Sequence, residues 1–159
     1  MPTRIGIGYD SHRFAEGRPL VLGGVEIPYD KGLDGWSDAD AVAHALTDAI
    51  LGAAGAGDIG HLFPDSDPQW KDADSMELLR TAHELVQGRG LTLAQADCSV
   101  ITEQPKLAPH LPAMAAALSS RLGVASGAIS IKAKTNEGMG FIGRGEGLAV
   151  IAVAVLEGR

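Results

Sequence analysis

Apolar and polar residues alternate strictly near the start of the chain. Residues 5–12 read Ile-Gly-Ile-Gly-Tyr-Asp-Ser-His, and side chains on a strand change face at every residue. The pattern predicts a strand with Gly6, Gly8, Asp10 and His12 on one face and Ile5, Ile7 and Tyr9 on the other. Glycines on the first face leave room for something to approach the backbone closely. Residues 19–22 and 25–28 flank Gly23-Gly24 and predict a β-hairpin. Residues 30–36 hold Gly32 and Gly35 without an apolar period, which predicts a mobile loop.

The period then changes. Val42, Leu46, Ala49, Ile50 and Ala53 recur at helical spacing, with Ser37 as the expected N-cap and Asp40 as its capping-box partner. Asp40, His44 and Asp48 form a second, polar stripe, so His44 stands off the core stripe. Turns rich in Gly and Asp follow over residues 52–67, and Ser75 is the expected cap of a second helix with Leu78, Leu79, Ala82, Leu85 and Val86 inward. Residues 96–102 predict a strand, 109–122 a third helix closed by Gly123, and 129–135 another strand. A glycine-rich loop over 136–147 leads into a last strand, 148–156, that is apolar on both faces. Such a strand is buried on both sides, by helices on one and by another subunit on the other. The order predicts an α/β (α+β) single domain over residues 1–159, a mixed sheet covered by helices on one face.

Composition narrows the function classes. The chain is 45% hydrophobic but only 4% aromatic, so its core is aliphatic. A net charge of −7 argues against general nucleic-acid binding, which needs a basic footprint. Cys98 is the one cysteine, which excludes an internal disulfide framework. No apolar run approaches the roughly 20 residues that span a bilayer, and no signal segment is visible before the first strand. A cytoplasmic protein without membrane partners is the expectation.

Asp10 and His12 on one strand face, with His44 from the helix, make an Asp-His-His set. Three protein ligands with a fourth position open is the pattern of a catalytic zinc site, and Asp48 is the expected acceptor that orients His44. Lys106, Lys132, Lys134 and Arg144 gather in the second half and suit phosphates. Glu137 beside them suits a second, harder cation of the Mg²⁺ type. No P-loop and no nucleophile elbow is present.

In order along nearly the whole chain, several motifs stand together. They are residues 8–12 (GYDSH), 37–49 (SDADAVAHALTDA), 57–60 (GDIG), 63–65 (FPD), 105–106 (PK), 132–137 (KAKTNE) and 140–147 (GFIGRGEG). With them the sequence resembles the 2-C-methyl-D-erythritol 2,4-cyclodiphosphate synthase family of non-mevalonate isoprenoid biosynthesis. The resemblance implies a lyase that cyclises a cytidine-diphosphate-linked substrate and releases CMP. It implies a homotrimer with active sites between subunits. It implies Zn²⁺ on Asp10, His12 and His44, and Mg²⁺ or Mn²⁺ on Glu137 with the substrate diphosphate. A cytidine pocket would run from Thr102 through Pro105, Lys106, Leu107 and Ala108, with Ala133 beside it. Lys134 and Thr135 would lie by the phosphates as catalytic groups, with Ser37 meeting the substrate. Asp58, Ile59, Gly60, Phe63 and Asp65 would lie by the methylerythritol part. Phe141, Arg144 and Glu146 would line an axial cavity that holds an isoprenoid diphosphate in some relatives.

Two positions depart from the family pattern. Trp36 stands where histidine is common, and Lys134 stands where threonine is common. A metal-dependent phosphoesterase and a non-catalytic trimeric metal-binding module are the alternative readings. The first would release inorganic phosphate, and the second would need a closed fourth ligand.

Overall fold

Helix α1 (Ala41–Ala54) lies directly on the backbone of strand β1 (Arg4–Ala15). A Cβ added at Gly6 would sit 2.0 Å from the Ala49 carbonyl oxygen, and one at Gly8 would sit 1.9 Å from that of Ala45. What approaches the glycine face is therefore this helix. The structure, a computed structural model, describes residues 2–159. After β1 come the hairpin β2 (Leu20–Leu22) and β3 (Val25–Ile27), the short β4 (Gly32–Leu33), α1, and a single turn α2 (Ile59–Leu62). Helix α3 (Ser75–Gly88), β5 (Leu91–Ile101), α4 (Leu111–Leu122), β6 (Ile129–Lys134), the turn α5 (Gly140–Gly143) and β7 (Gly147–Gly158) complete the chain.

The main sheet has the order β4-β1-β7-β5-β6. Among the described strands only β5 and β6 run parallel, joined by the crossover through α4. The sheet is thus mixed, as the order of elements predicts. Eleven of the fourteen residues of α1 are buried, because the helix has β1 and β7 on one side and α3 on another. Its partly exposed positions, His44 and Asp48, lie on the predicted polar stripe. On the far side of the sheet Ile5, Ile7 and Tyr9 are exposed, next to Ile151 and Val153 of β7. The second apolar face of the last strand is bare within one chain.

Several local expectations are corrected. Asp40, not Ser37, caps α1, accepting from the Ala43 N–H. It is fully buried and also accepts from Gly23 N at 2.9 Å and Gly24 N at 2.7 Å, tying the hairpin turn to the helix. Burial pushes its carboxyl up to about 6 against the pull of those N–H donors. Asp74, not Ser75, caps α3. Serine and aspartate are equally good caps, so the D-x-D and D-S runs leave the choice to tertiary contacts. The loop over 30–36 contains β4, and it is held rather than loose. Arg18 donates from Nη1 to the Gly35 carbonyl at 2.7 Å and from Nη2 to the Ser37 carbonyl at 2.6 Å. The Asp72 N–H also donates to the Trp36 carbonyl at 2.9 Å. Strand β5 begins at Leu91, five residues before the expected start, with an irregular register between Leu93 and Gln95. That irregularity breaks the alternation that periodicity detects.

Replacing Gly8 by Ala forces a methyl group into backbone that no side chain can vacate. The expected result is a loss of about 3 kcal/mol, the upper end of overpacking costs, with weakened metal binding as α1 lifts. Urea titration and zinc competition measure both, and a Gly8→Ala protein of unchanged stability would contradict the packing argument.

Candidate active site

Strand β1 presents Asp10 and His12 on the face that carries α1, and α1 presents His44 toward them. Asp10 Oδ2 lies 2.7 Å from His12 Nε2 and 3.2 Å from His44 Nδ1. The two ring nitrogens are 3.4 Å apart, and one ligand atom from each residue lies within 4.8 Å of the others. The remaining ring nitrogens are occupied. His12 Nδ1 lies 2.7 Å from the Asp34 carbonyl oxygen, to which it donates. His44 Nε2 lies 2.8 Å from Ser75 Oγ and 3.1 Å from Ser37 Oγ. With those nitrogens as donors, His12 Nε2, His44 Nδ1 and the Asp10 carboxylate converge as acceptors on one point. Three such lone pairs repel one another unless a cation or a proton lies between them, so the donor set fits a metal ion.

Charge in the cluster is coupled. Burial acts to raise the Asp10 carboxyl, but hydrogen bonds and charge from His12 and His44 outweigh it and hold the group below its ordinary value. Burial likewise opposes the charged form of His12, and the Asp10 hydrogen bond and charge overcome it and raise that imidazole.

Beside the cluster lies a cavity of about 370 Å³ lined by His12, Trp36, Ser37, His44, Ile59, Gly60, Phe63 and Asp65, with Gly35, Trp70 and Leu78. Most residues expected beside the methylerythritol part thus share one concavity with His12 and His44. Asp58 does not line it. Asp58 caps α2, accepting from the His61 N–H at 2.8 Å. Asp48 does not orient His44 either, because its carboxylate accepts from the Ile59 N–H at 2.7 Å. Ser37 faces the cavity, but its hydroxyl also meets Ser75 and accepts from the Ala39 N–H.

A second cavity, about 160 Å³, is lined by Thr102, Pro105, Lys106, Leu107, Ala108, Ala133, Lys134 and Thr135. The expected cytidine pocket and the phosphate-facing pair meet there. Asp10, Val150, Val100 and Ala133 lie on one row across β1, β7, β5 and β6. Three strand spacings, about 14 Å, therefore separate the Asp-His-His cluster from this pocket at one end of the sheet. Lys132 is not among its walls and pairs with Asp97 on the exposed sheet face. Arg144 pairs with Glu146 at 2.9 Å, and Phe141 and Glu146 line a separate cavity with Ser11, His12, Arg13 and Gly147. Glu137 stands on an exposed turn whose backbone is held by Glu103, which accepts from Asn136 N at 2.7 Å and Gly138 N at 3.0 Å.

Among the described residues the non-glycine positions with positive φ are Ala39, Asp72 and Glu137. Each lies in a loop beside one of the expected subsites, and such outliers gather where function constrains the backbone. Sequence reasoning missed Trp70, Leu78 and the Ser75 contact. A serine that caps a helix and one placed a residue inside it look alike in sequence, so no local signal marks Ser75.

A metal ion competes with the proton on His12, so its affinity rises about tenfold per pH unit below the folded pKa of that imidazole. Because that pKa lies above 6.5, the slope continues past pH 6.5 before it levels. In the metal-free protein the sign is opposite. The stabilisation from His12 is complete below 6.5 and is lost as pH rises through the raised value, while that from Asp10 is lost as pH falls below 3.8. Chelator competition across pH 5–8 reads the metal side, and a plateau already reached at pH 6 would refute the coupling.

The profile of the YgbB family matches residues 3–157. The 2-C-methyl-D-erythritol 2,4-cyclodiphosphate synthase of Halalkalibacterium halodurans is 54% identical over 153 residues, 96% of this chain and 98% of that protein. A solved synthase of the same name in a CDP-bound form aligns over 97% of this chain and 100% of its own, with 45% identity and a TM-score of 0.89. The bifunctional IspDF of Campylobacter jejuni aligns over 99% of this chain at 46% identity and a TM-score of 0.96, and this chain spans 43% of that longer one. By profile and by full-length identity alike, the chain belongs to the YgbB family of 2-C-methyl-D-erythritol 2,4-cyclodiphosphate synthases.

Proposed function

We propose that the chain converts 4-diphosphocytidyl-2-C-methyl-D-erythritol 2-phosphate into 2-C-methyl-D-erythritol 2,4-cyclodiphosphate and CMP. The observation that carries this reading is the convergence of Asp10, His12 and His44 at the wall of a cavity shared with Ile59, Gly60, Phe63 and Asp65. A 2-phosphate oxygen attacks the β-phosphorus of the same molecule. The bond from that phosphorus to the bridging oxygen breaks, and CMP departs with the oxygen and the electron pair. Little covalent help is needed from protein; positioning and charge neutralisation do the work.

Zn²⁺ held by Asp10, His12 and His44, with Mg²⁺ or Mn²⁺ on Glu137, would supply Lewis acidity and offset phosphate charge. The pocket from Thr102 to Ala108 takes the cytidine, and Lys106, Lys134 and Thr135 face its phosphates. The cavity around Phe63 and Asp65 holds the sugar-derived part. Folding the substrate between these two points brings the reacting atoms together, an effect worth roughly 7–11 kcal/mol at its limit. The Trp36 ring lines this cavity with the Lys71 ammonium 5.9 Å from its centroid, and settling on bound substrate it would exclude water.

The assembly is a homotrimer with each active site at a subunit junction. Support comes from the exposed apolar surface of Ile5, Ile7, Tyr9, Ile151 and Val153, a kind of patch that marks interaction surfaces. An isoprenoid diphosphate in the axial cavity would meet Arg144 as its anion partner. Among the described residues no helix is long and apolar enough to cross a membrane. As a separate reading, we place the protein in the cytoplasm.

The product test is CMP release followed with a phosphorus spectrum. A cyclic diphosphate in step with CMP is expected, whereas inorganic phosphate would establish a phosphoesterase instead. If Trp36 acts as a cover, Trp36→Phe keeps most of the activity and Trp36→His gains little. A hundredfold loss in a folded Trp36→Phe protein would make the indole N–H a catalytic donor.

A further inference from the structure

The side of His44 that faces away from the cluster meets a closed set of polar groups. Its Nε2 lies 2.8 Å from Ser75 Oγ. The Ser75 hydroxyl is in turn hydrogen-bonded to Asp38 Oδ1, and the Ser75 N–H lies 3.3 Å from Asp38 Oδ2. Ser37 Oγ lies 3.2 Å from Ser75 Oγ. A hydroxyl has one proton to give, and a carboxylate only accepts. Asp38 therefore accepts the hydrogen bond from the Ser75 hydroxyl. Ser75 Oγ is left as an acceptor, 2.8 Å away, for a hydrogen on His44 Nε2, and the Ser37 hydroxyl, 3.1 Å from the same nitrogen, is left to donate to Ser75 Oγ at 3.2 Å. His44 Nδ1 is then the bare nitrogen, and Nδ1 is the atom 3.2 Å from Asp10 Oδ2.

We propose that Asp38 and Ser75 are positioning residues that set the tautomer and ring orientation of His44, and through them the metal affinity of the site. This rests on the reading that Asp10, His12 and His44 hold a metal ion. Reversing the relay shows why its polarity matters. An Asn at position 38 can donate an amide hydrogen to Ser75 Oγ. The Ser75 hydroxyl is then free to donate to His44 Nε2, the imidazole proton moves to Nδ1, and an N–H points into the ligand cluster where a lone pair is needed. The relay also joins two loops to the metal centre. The Asp38 N–H donates to the Ala73 carbonyl at 3.1 Å, and the neighbouring Ser37 carbonyl is held by Arg18. Movement of residues 34–38 against 70–75 would reach the cluster through His44, by way of Ser75, and through His12, whose Nδ1 donates to the Asp34 carbonyl.

Two readouts other than turnover test this. Imidazole ¹⁵N spectra of the metal-free wild type at pH 8 report the His44 tautomer directly, and Nε2–H is expected. Zn²⁺ affinity is measured by competition with a chromophoric chelator for wild type, Asp38→Asn, Ser75→Ala and Ser75→Thr. Partners that orient a ligating histidine are typically worth roughly 10–100-fold in metal affinity. A loss of that size is expected in Asp38→Asn and Ser75→Ala, with recovery toward wild type in Ser75→Thr, which keeps the hydroxyl. Asp38→Asn preserves shape and guards against a trivial folding defect in Ser75→Ala. Wild-type affinity in both variants, or an Nδ1–H tautomer in the wild type, would overturn the relay. Wild type that binds no Zn²⁺ at all would instead overturn the metal reading on which it rests.

Discussion

The seating of α1 on a glycine strand face is the contact from which the site follows. Gly6 and Gly8 remove the two Cβ atoms that would hold the helix away, and the Ala45 and Ala49 carbonyl oxygens occupy the space. Ala45, Ala49 and Ala53 repeat at four-residue steps along the helix side that meets β1. Small residues on both partners make the contact close. His44 directly precedes Ala45, and Asp10 follows Gly8 by one step along the same strand face. A short helix–strand distance is therefore what brings one imidazole to within 3.2 Å of the carboxylate. A larger strand residue would cost stability and would also take the third ligand out of reach.

Around this contact, polar groups replace the freedom that loops usually keep. Residues 34–38 are held from behind by Arg18 through the Gly35 and Ser37 carbonyls, and from the side by the Asp72 N–H on the Trp36 carbonyl. Trp36 nevertheless keeps 41% of its surface exposed. The backbone is fixed while the ring remains open to a ligand, which is the economy of a preorganised cover: the side chain can settle on substrate without the loop having to order first. Ala39 and Asp72, both in the left-handed region, lie on the two loops that meet here.

Much of this was legible in the sequence because alternation and helical period are local signals. The strand face of Asp10 and His12, the off-core position of His44 and the order of the main elements all follow from spacing. The Thr102–Ala108 pocket with Lys134 and Thr135 follows from the family resemblance, and the structure brings those residues to one concavity. What spacing could not supply is partner choice among short polar side chains. Asp40, Asp48, Asp58, Asp38, Ser37 and Ser75 are all plausible caps or orienters. Which one meets His44 depends on where α3 begins relative to α1, a tertiary fact. Asp48 looked better placed at i+4, yet the Ile59 N–H claims its carboxylate. Lys132 stands near the other lysines in sequence, but a salt bridge to Asp97 holds it on the bare sheet face.

That bare face gives the charge distribution its meaning. The chain is acidic by seven charges, yet Lys106 and Lys134 line one small pocket at the same sheet end as the Asp-His-His cluster. An anionic substrate approaching a net-negative surface needs such a local positive region, because screening confines the field of distant charges to about 8–10 Å at ordinary salt. The about 14 Å between pocket and cluster within one chain is longer than that range. The two cannot act electrostatically as one centre unless the gap is closed, either by substrate and metal bridging it or by a neighbouring subunit bringing its own pocket closer. The exposed apolar strip of Ile5, Ile7, Tyr9, Ile151 and Val153 would supply a driving force for the second arrangement. Burying it favours association without spending any of the polar groups that the chemistry requires.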